Sequence, residues 1–129
     1  MLRTLLRAKI HRAMVTQADL HYEGSIGIDQ ALLDEAGIAP FEKVEIYDIT
    51  NGNRLETYAI PGEAGSGEIC INGAAARLVD PQDIVIICCY GNYDHSELKS
   101  HLAKIVLVDK DNRVVETQIR SAAETLSST

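Results

Sequence analysis

Short segments in which apolar and polar residues alternate recur along the chain, and no long stretch repeats with the 3.6-residue period of a helix. Such alternation turns one side of an extended strand toward a core and the other toward water, so it predicts a mainly β protein. Strands are predicted over residues 9–16, 44–50, 54–60, 68–71, 84–90, 103–108 and 113–118. The second and third flank Asn51-Gly52, a pair that tolerates the positive φ of a tight hairpin. The last two are joined by the turn-forming Asp109-Lys110-Asp111-Asn112.

Two short helices interrupt the strands. Asp29 is placed to cap QALLDEA, with Gly37 as its stop, and Asp94 or Ser96 to cap a second helix running through Leu102. Six or more short strands in so small a chain suggest a closed barrel. The polar tail SAAETLSST offers no apolar face and is expected to fray, with disorder setting in from about residue 119. At 129 residues, with no internal repeat and no linker, a single domain over 1–129 is expected.

Composition adds little beyond class. The chain is 46% hydrophobic and 24% charged, and it has no apolar run near the roughly 20 residues of a membrane span. Its opening MLRTLLRAKIHR is too basic for a secretory signal, so a cytoplasmic location away from membranes is expected. A net charge of −7 argues against general nucleic-acid binding, which requires a basic surface. Arg3, Arg7, Lys9 and Arg12 nonetheless give the first 24 residues a balance of +2, suited to an anion pocket or simply to a solvated strand. Cys70, Cys88 and Cys89 lack ligand or redox spacing and read as buried thiols. The four histidines have no metal-binding spacing, so no metal is expected.

One stretch carries candidate chemistry. His21-Tyr22-Glu23-Gly24-Ser25 lies between the first strand and the first helix, which places Gly24-Ser25 in a connecting turn. A glycine can hold its peptide in a conformation closed to other residues and expose its carbonyl to the next residue's hydroxyl. Attack by Ser25 on that carbonyl gives an ester; elimination then leaves dehydroalanine, and hydrolysis with loss of ammonia leaves a ketone. A Gly-Ser pair alone is far more often an ordinary turn.

The opening LRAKIHRAMVTQADLHYEGSIGID, the hairpin DITNGNRLETYAI and the segment INGAAARL together resemble the aspartate 1-decarboxylase family, in order and in separation, over most of residues 1–90. The resemblance implies a small six-stranded double-psi β-barrel, a homotetramer, and cleavage at Gly24–Ser25 into chains 1–24 and 25–129. It implies a lyase that converts L-aspartate to β-alanine for pantothenate synthesis, with a pyruvoyl group derived from Ser25 as Schiff-base cofactor and no pyridoxal phosphate. Carried over by position, Tyr58 is the proton donor and Thr57 binds substrate and assists cleavage. Gly73, Ala74 and Ala75 contact substrate through backbone, and Lys9 and Arg54 lie near its carboxylates. Two positions depart from the pattern: Ile26-Gly27 follows the serine, and Tyr47 stands where tryptophan is associated with the family.

These side-chain types suit their roles. Arginine presents a planar fork to a carboxylate, and a tyrosine hydroxyl can deliver a proton from a fixed position. Arg54 and Tyr58, four apart on a strand, should share a face, with Thr57 on the other. A β-bulge, or a site at a seam between subunits, would reconcile the three. The competing readings are a non-enzymatic β-barrel interaction module, in which Gly24-Ser25 is only a turn, and a family member held as an uncleaved proenzyme.

Overall fold

The computed structural model describes residues 1–127. Nine strands dominate: β1 (Arg3–Met14), β2 (Gln17–Asp19), β3 (Ser25–Asp29), β4 (Lys43–Asp48), β5 (Arg54–Gly62), β6 (Ile69–Asn72), β7 (Ile84–Tyr93), β8 (Ala103–Val108) and β9 (Val114–Arg120). They pair in the order β2-β6-β3-β5-β4-β7-β1-β8-β9. The protein is therefore mainly β, as alternation predicts, and consistent with a small barrel. Instead of six strands closed on themselves, however, there are nine in one hydrogen-bonded order whose two end strands do not pair with each other.

Alternation dictates which way β4 and β5 face. Val44, Ile46 and Asp48 point inward and are buried, whereas Lys43, Glu45 and Tyr47 point outward. The antiparallel register runs Lys43 against Tyr58, Val44 against Thr57, Glu45 against Glu56 and Tyr47 against Arg54, with no shift. The core collects Ile10, Ile26, Ile28, Ile46, Ile69, Ile71 and Ile87 from five strands, together with Leu32 and Leu33 from helix α1 (Gln30–Ala36). Each such side chain contributes about 1.5–3 kcal/mol by leaving water.

The first helix forms where its caps predict. Asp29 accepts from the Ala31 amide at 2.8 Å, and Gly37 adopts the left-handed conformation, φ 73°, that ends the helix. The Asp29 carboxylate also accepts from the amides of Gly65 at 3.0 Å and Gly67 at 2.8 Å, which ties the end of β3 to the loop before β6. Burial by itself raises its pKa, but the three backbone donors and nearby Arg113 outweigh that and hold the group below its ordinary value.

Several boundaries differ from the sequence-based expectation. The first strand begins at Arg3 and ends at Met14. It can be this long because register shifts after Leu6 and after Ile10, and a left-handed Arg12 (φ 65°), bend it between two neighbours. The second predicted helix is a 3₁₀ turn, His95–Lys99, capped by Asp94 and reciprocally by Glu97, and it stops short of Leu102. The tail expected to be disordered from about residue 119 instead continues β9 to Arg120, and helix α2 (Ala122–Ser127) follows. His101 anchors that helix by accepting from the Ala122 amide at 3.1 Å. The last two residues of the expected frayed tail lie outside the described residues.

Candidate active site

Ser25 does not lie in the connecting turn; it opens β3, while the exposed Gly24 closes the turn before it. Pairing buries this serine to 1% exposure. On one side β3 runs antiparallel to β6, with Ser25 opposite Asn72; on the other it runs parallel to β5, with Ile26 opposite Ala59. One step back along that parallel register brings Ser25 level with Tyr58 and on the same face. A row across the sheet thus carries Asp19, Asn72, Ser25, Tyr58 and Lys43.

Within that row the Ser25 hydroxyl is held from two sides. It donates to the Glu23 carbonyl at 3.0 Å and accepts from Asn72 Nδ2 at 3.1 Å. Asn72 Oδ1 in turn accepts from Cys70 Sγ at 3.2 Å. Neither Asn72 nor Cys70 is among the site residues expected from sequence, which reads Cys70 only as a buried thiol. The signal was present in INGAAARL, because period-two alternation along β6 puts Cys70 and Asn72 on one face, but Asn-Gly reads first as a turn.

Gly73 follows at once and presses on the turn before Ser25. Its φ is +76°, and a Cβ there would stand 2.6 Å from Gly24 Cα and 2.8 Å from Gly24 N. Both the conformation and the space restrict this position to glycine. Ala74 and Ala75 continue into a 3₁₀ turn, Gly73–Arg77, where Ala74 is exposed and Ala75 packs against the core.

Apart from Tyr58, the remaining expected residues fall in other rows. Tyr58 is half-buried and stacks on Phe41, ring centroids 5.7 Å apart, beneath a loop that the Phe41 amide fastens to the Ala59 carbonyl at 2.7 Å. Lys9 lies opposite Cys88, which lies opposite Glu45. Burial raises the Cys88 thiol's pKa, and the Lys9 charge partly offsets that. Arg54 is exposed, with its guanidinium 4.3 Å from the centre of the Tyr47 ring. The Tyr47 hydroxyl meets Tyr90 at 2.8 Å and donates to Glu45 at 3.1 Å. Burial, reinforced by those two partners, holds its pKa above the ordinary phenol value. A cavity of about 350 Å³ opens beside this group, lined by Thr4, Lys43, Glu45, Cys88 and Tyr90.

Alternation therefore assigns the faces as expected. Arg54 and Tyr58 face outward, and Thr57 faces the other way, opposite the buried Val44. No bulge interrupts β4 and β5 between them. The structure brings Gly24, Ser25 and Gly73 together with Tyr58 level, and it leaves Lys9, Thr57 and Arg54 outside that row. Arg54 stands four residues from Tyr58, about 13 Å along the strand. All three cysteines are free and buried. Among the described residues no three acidic, histidine or cysteine side chains are grouped to hold a metal ion, and no helix is long and apolar enough to cross a membrane.

Fold and site define a small mainly β protein built around a buried serine that follows a glycine turn, with a tyrosine level with it across the sheet. The chain belongs to the aspartate decarboxylase family, whose sequence model matches residues 1–115 of the 129.

Proposed function

We propose that the protein severs its own Gly24–Ser25 bond, turns residue 25 into a pyruvoyl group, and uses it to convert L-aspartate to β-alanine and carbon dioxide for pantothenate synthesis. The observation that carries this reading, in a member of the aspartate decarboxylase family, is the Ser25 hydroxyl fixed between Asn72 Nδ2 and the Glu23 carbonyl, beside a glycine packed against a second glycine. The residues fit such a group. Position 25 heads a strand and is shielded from water, Asn72 supplies a donor to its side-chain oxygen, and Gly73 leaves no side chain in the way.

A pyruvoyl group supplies a ketone that captures an amine and an amide that withdraws electrons from the carbon losing carbon dioxide. The chain's own residues do the rest. Tyr58, level with residue 25, is placed to deliver the proton that replaces carbon dioxide, and its stacking on Phe41 fixes the ring. Arg54 offers a bidentate fork for a carboxylate, and Lys9 adds positive charge near Cys88.

The 13 Å along the strand between Arg54 and Tyr58 exceeds the roughly 5–6 Å span of a four-carbon diacid. That separation supports a site completed by a neighbouring copy, whose Arg54 would meet substrate held at this chain's residue 25. It is the ground for proposing a homotetramer. The core strands would then wrap as a six-stranded double-psi barrel, and the enzyme would work in the cytoplasm.

The direct test is the intact mass of active protein together with carbon dioxide release from aspartate. Fragments 1–24 and 25–129 should sum to about one dalton above the precursor, because elimination conserves mass and hydrolysis exchanges ammonia for water. Turnover by a single uncut chain, or strict dependence on added pyridoxal phosphate, would remove the reading.

Arg54→Lys should keep the charge and lose the fork. The KM for aspartate is expected to rise roughly 10- to 100-fold, the scale of a charged hydrogen-bond pair, while fragment formation stays parental. Kinetics equal to the parent's would take Arg54 out of the site.

A further inference from the structure

We infer that the Cys70 thiol is a positioning group for self-processing: it fixes which end of the Asn72 amide faces Ser25. The inference rests on the proposed cleavage and concerns residues of this chain alone. Cys70, Asn72 and Ser25 are respectively 9%, 5% and 1% exposed, so water does not compete for their hydrogen bonds. Cys70 and Asn72, two apart on β6, share a face. The thiol donates to Asn72 Oδ1 at 3.2 Å, and Asn72 Nδ2 donates to Ser25 Oγ at 3.1 Å.

An amide can sit either way round in a cavity of this shape, and only its partners decide between the two. Burial raises the Cys70 pKa, and the charges of Glu68 and Asp19 add to that, so at neutral pH the sulfur keeps its proton and acts as a donor. A donor at this point holds Oδ1 toward Cys70 and therefore the NH₂ group toward Ser25. With the donor removed, the amide is free to turn and present its carbonyl oxygen to Ser25 Oγ.

The orientation matters most after the first step. Oγ attacks the Gly24 carbonyl carbon, the Gly24–Ser25 C–N bond breaks, and the freed nitrogen takes up the hydroxyl proton. Elimination then passes the Cα proton of residue 25 to solvent, forms the Cα–Cβ double bond and breaks the Cβ–Oγ bond. The electron pair of that bond stays on Oγ, which leaves within the Gly24 carboxylate. An N–H group aimed at Oγ stabilises this growing negative charge, and a carbonyl oxygen aimed there opposes it.

The test is pulse synthesis of the full chain in a cell-free reaction, followed by a chase read by intact mass, for the parent, Cys70→Ala and Cys70→Ser. Cys70→Ala should form fragments about tenfold more slowly, the cost of one misdirected hydrogen bond, and should accumulate uncut chain that hydroxylamine splits at residue 24 because it is an ester. Cys70→Ser, which restores a donor, should recover most of the rate, and the thermal midpoints of the variant precursors should not track the rates. If Cys70→Ala does not fold, the near-isosteric Cys70→Val takes its place. Fragment formation at the parental rate without the donor would overturn the inference. So would a delay that serine does not relieve, or one without a hydroxylamine-sensitive species. A parent chain that never cleaves would instead sink the proposed processing itself.

Discussion

Ser25→Ala should leave a single uncut chain of 14.1 kDa that releases no β-alanine from aspartate. Alanine fits the buried start of β3, and Ile26, Gly27 and Ile28 keep their pairings, so the fold should survive. What disappears is the oxygen that Asn72 Nδ2 and the Glu23 carbonyl share, and with it the proposed nucleophile. The loss of activity should therefore be complete, with cleavage and turnover failing together. A Ser25→Ala protein that still divides between residues 24 and 25, as read by intact mass, would show that another group attacks the Gly24 carbonyl.

Tyr58→Phe should separate making the cofactor from using it. The ring remains stacked on Phe41 and half-buried between β3 and β4, so only the hydroxyl is lost. Among the described residues no hydrogen bond links that hydroxyl to Ser25, Asn72 or Glu23: Ser25 is held by Glu23 and Asn72, and Asn72 by Cys70. Processing should accordingly proceed. Positioned proton transfer contributes roughly 10²- to 10⁴-fold, so kcat for β-alanine formation should fall by that factor while KM changes little. The measurement is carbon dioxide release by a Tyr58→Phe sample whose two fragments have been verified by mass. Undiminished turnover would assign the proton to a different group, and Lys9 would be the next to test.

Much of this arrangement is legible before any coordinates, because short-range rules govern it. Asp29 and Gly37 bound α1 as the capping rules require, and Asn51-Gly52 turns β4 into β5 between strands that alternate as predicted. Strict period two also correctly sets Thr57 against Arg54 and Tyr58. What fails is whatever depends on distant pairing. β2 has three residues and β3 is buried along its whole length, so neither shows alternation; each exists because β6 lies beside it. The row that joins Asn72, Ser25 and Tyr58 comes from three separated segments, and nothing local to HYEGS announces it. Cys70 is missed for a related reason. A buried cysteine usually packs as a small apolar group, and its role as a donor is visible only once Asn72 Oδ1 is seen beside it.

The pairing of the first segment has a consequence of a different kind. β1 is flanked by β7 and β8, and β2 lies along β6, so the part of the chain before Ser25 is woven into the sheet at three places. If the Gly24–Ser25 bond is cut as proposed, those contacts no longer belong to one molecule. Unfolding the severed protein becomes a dissociation, and recovering it becomes a second-order encounter that dilution slows, without the millimolar effective concentration that a tether provides. The proposed scission would therefore give the protein a fold that it reaches as a continuous chain and can regain afterwards only by reassembly.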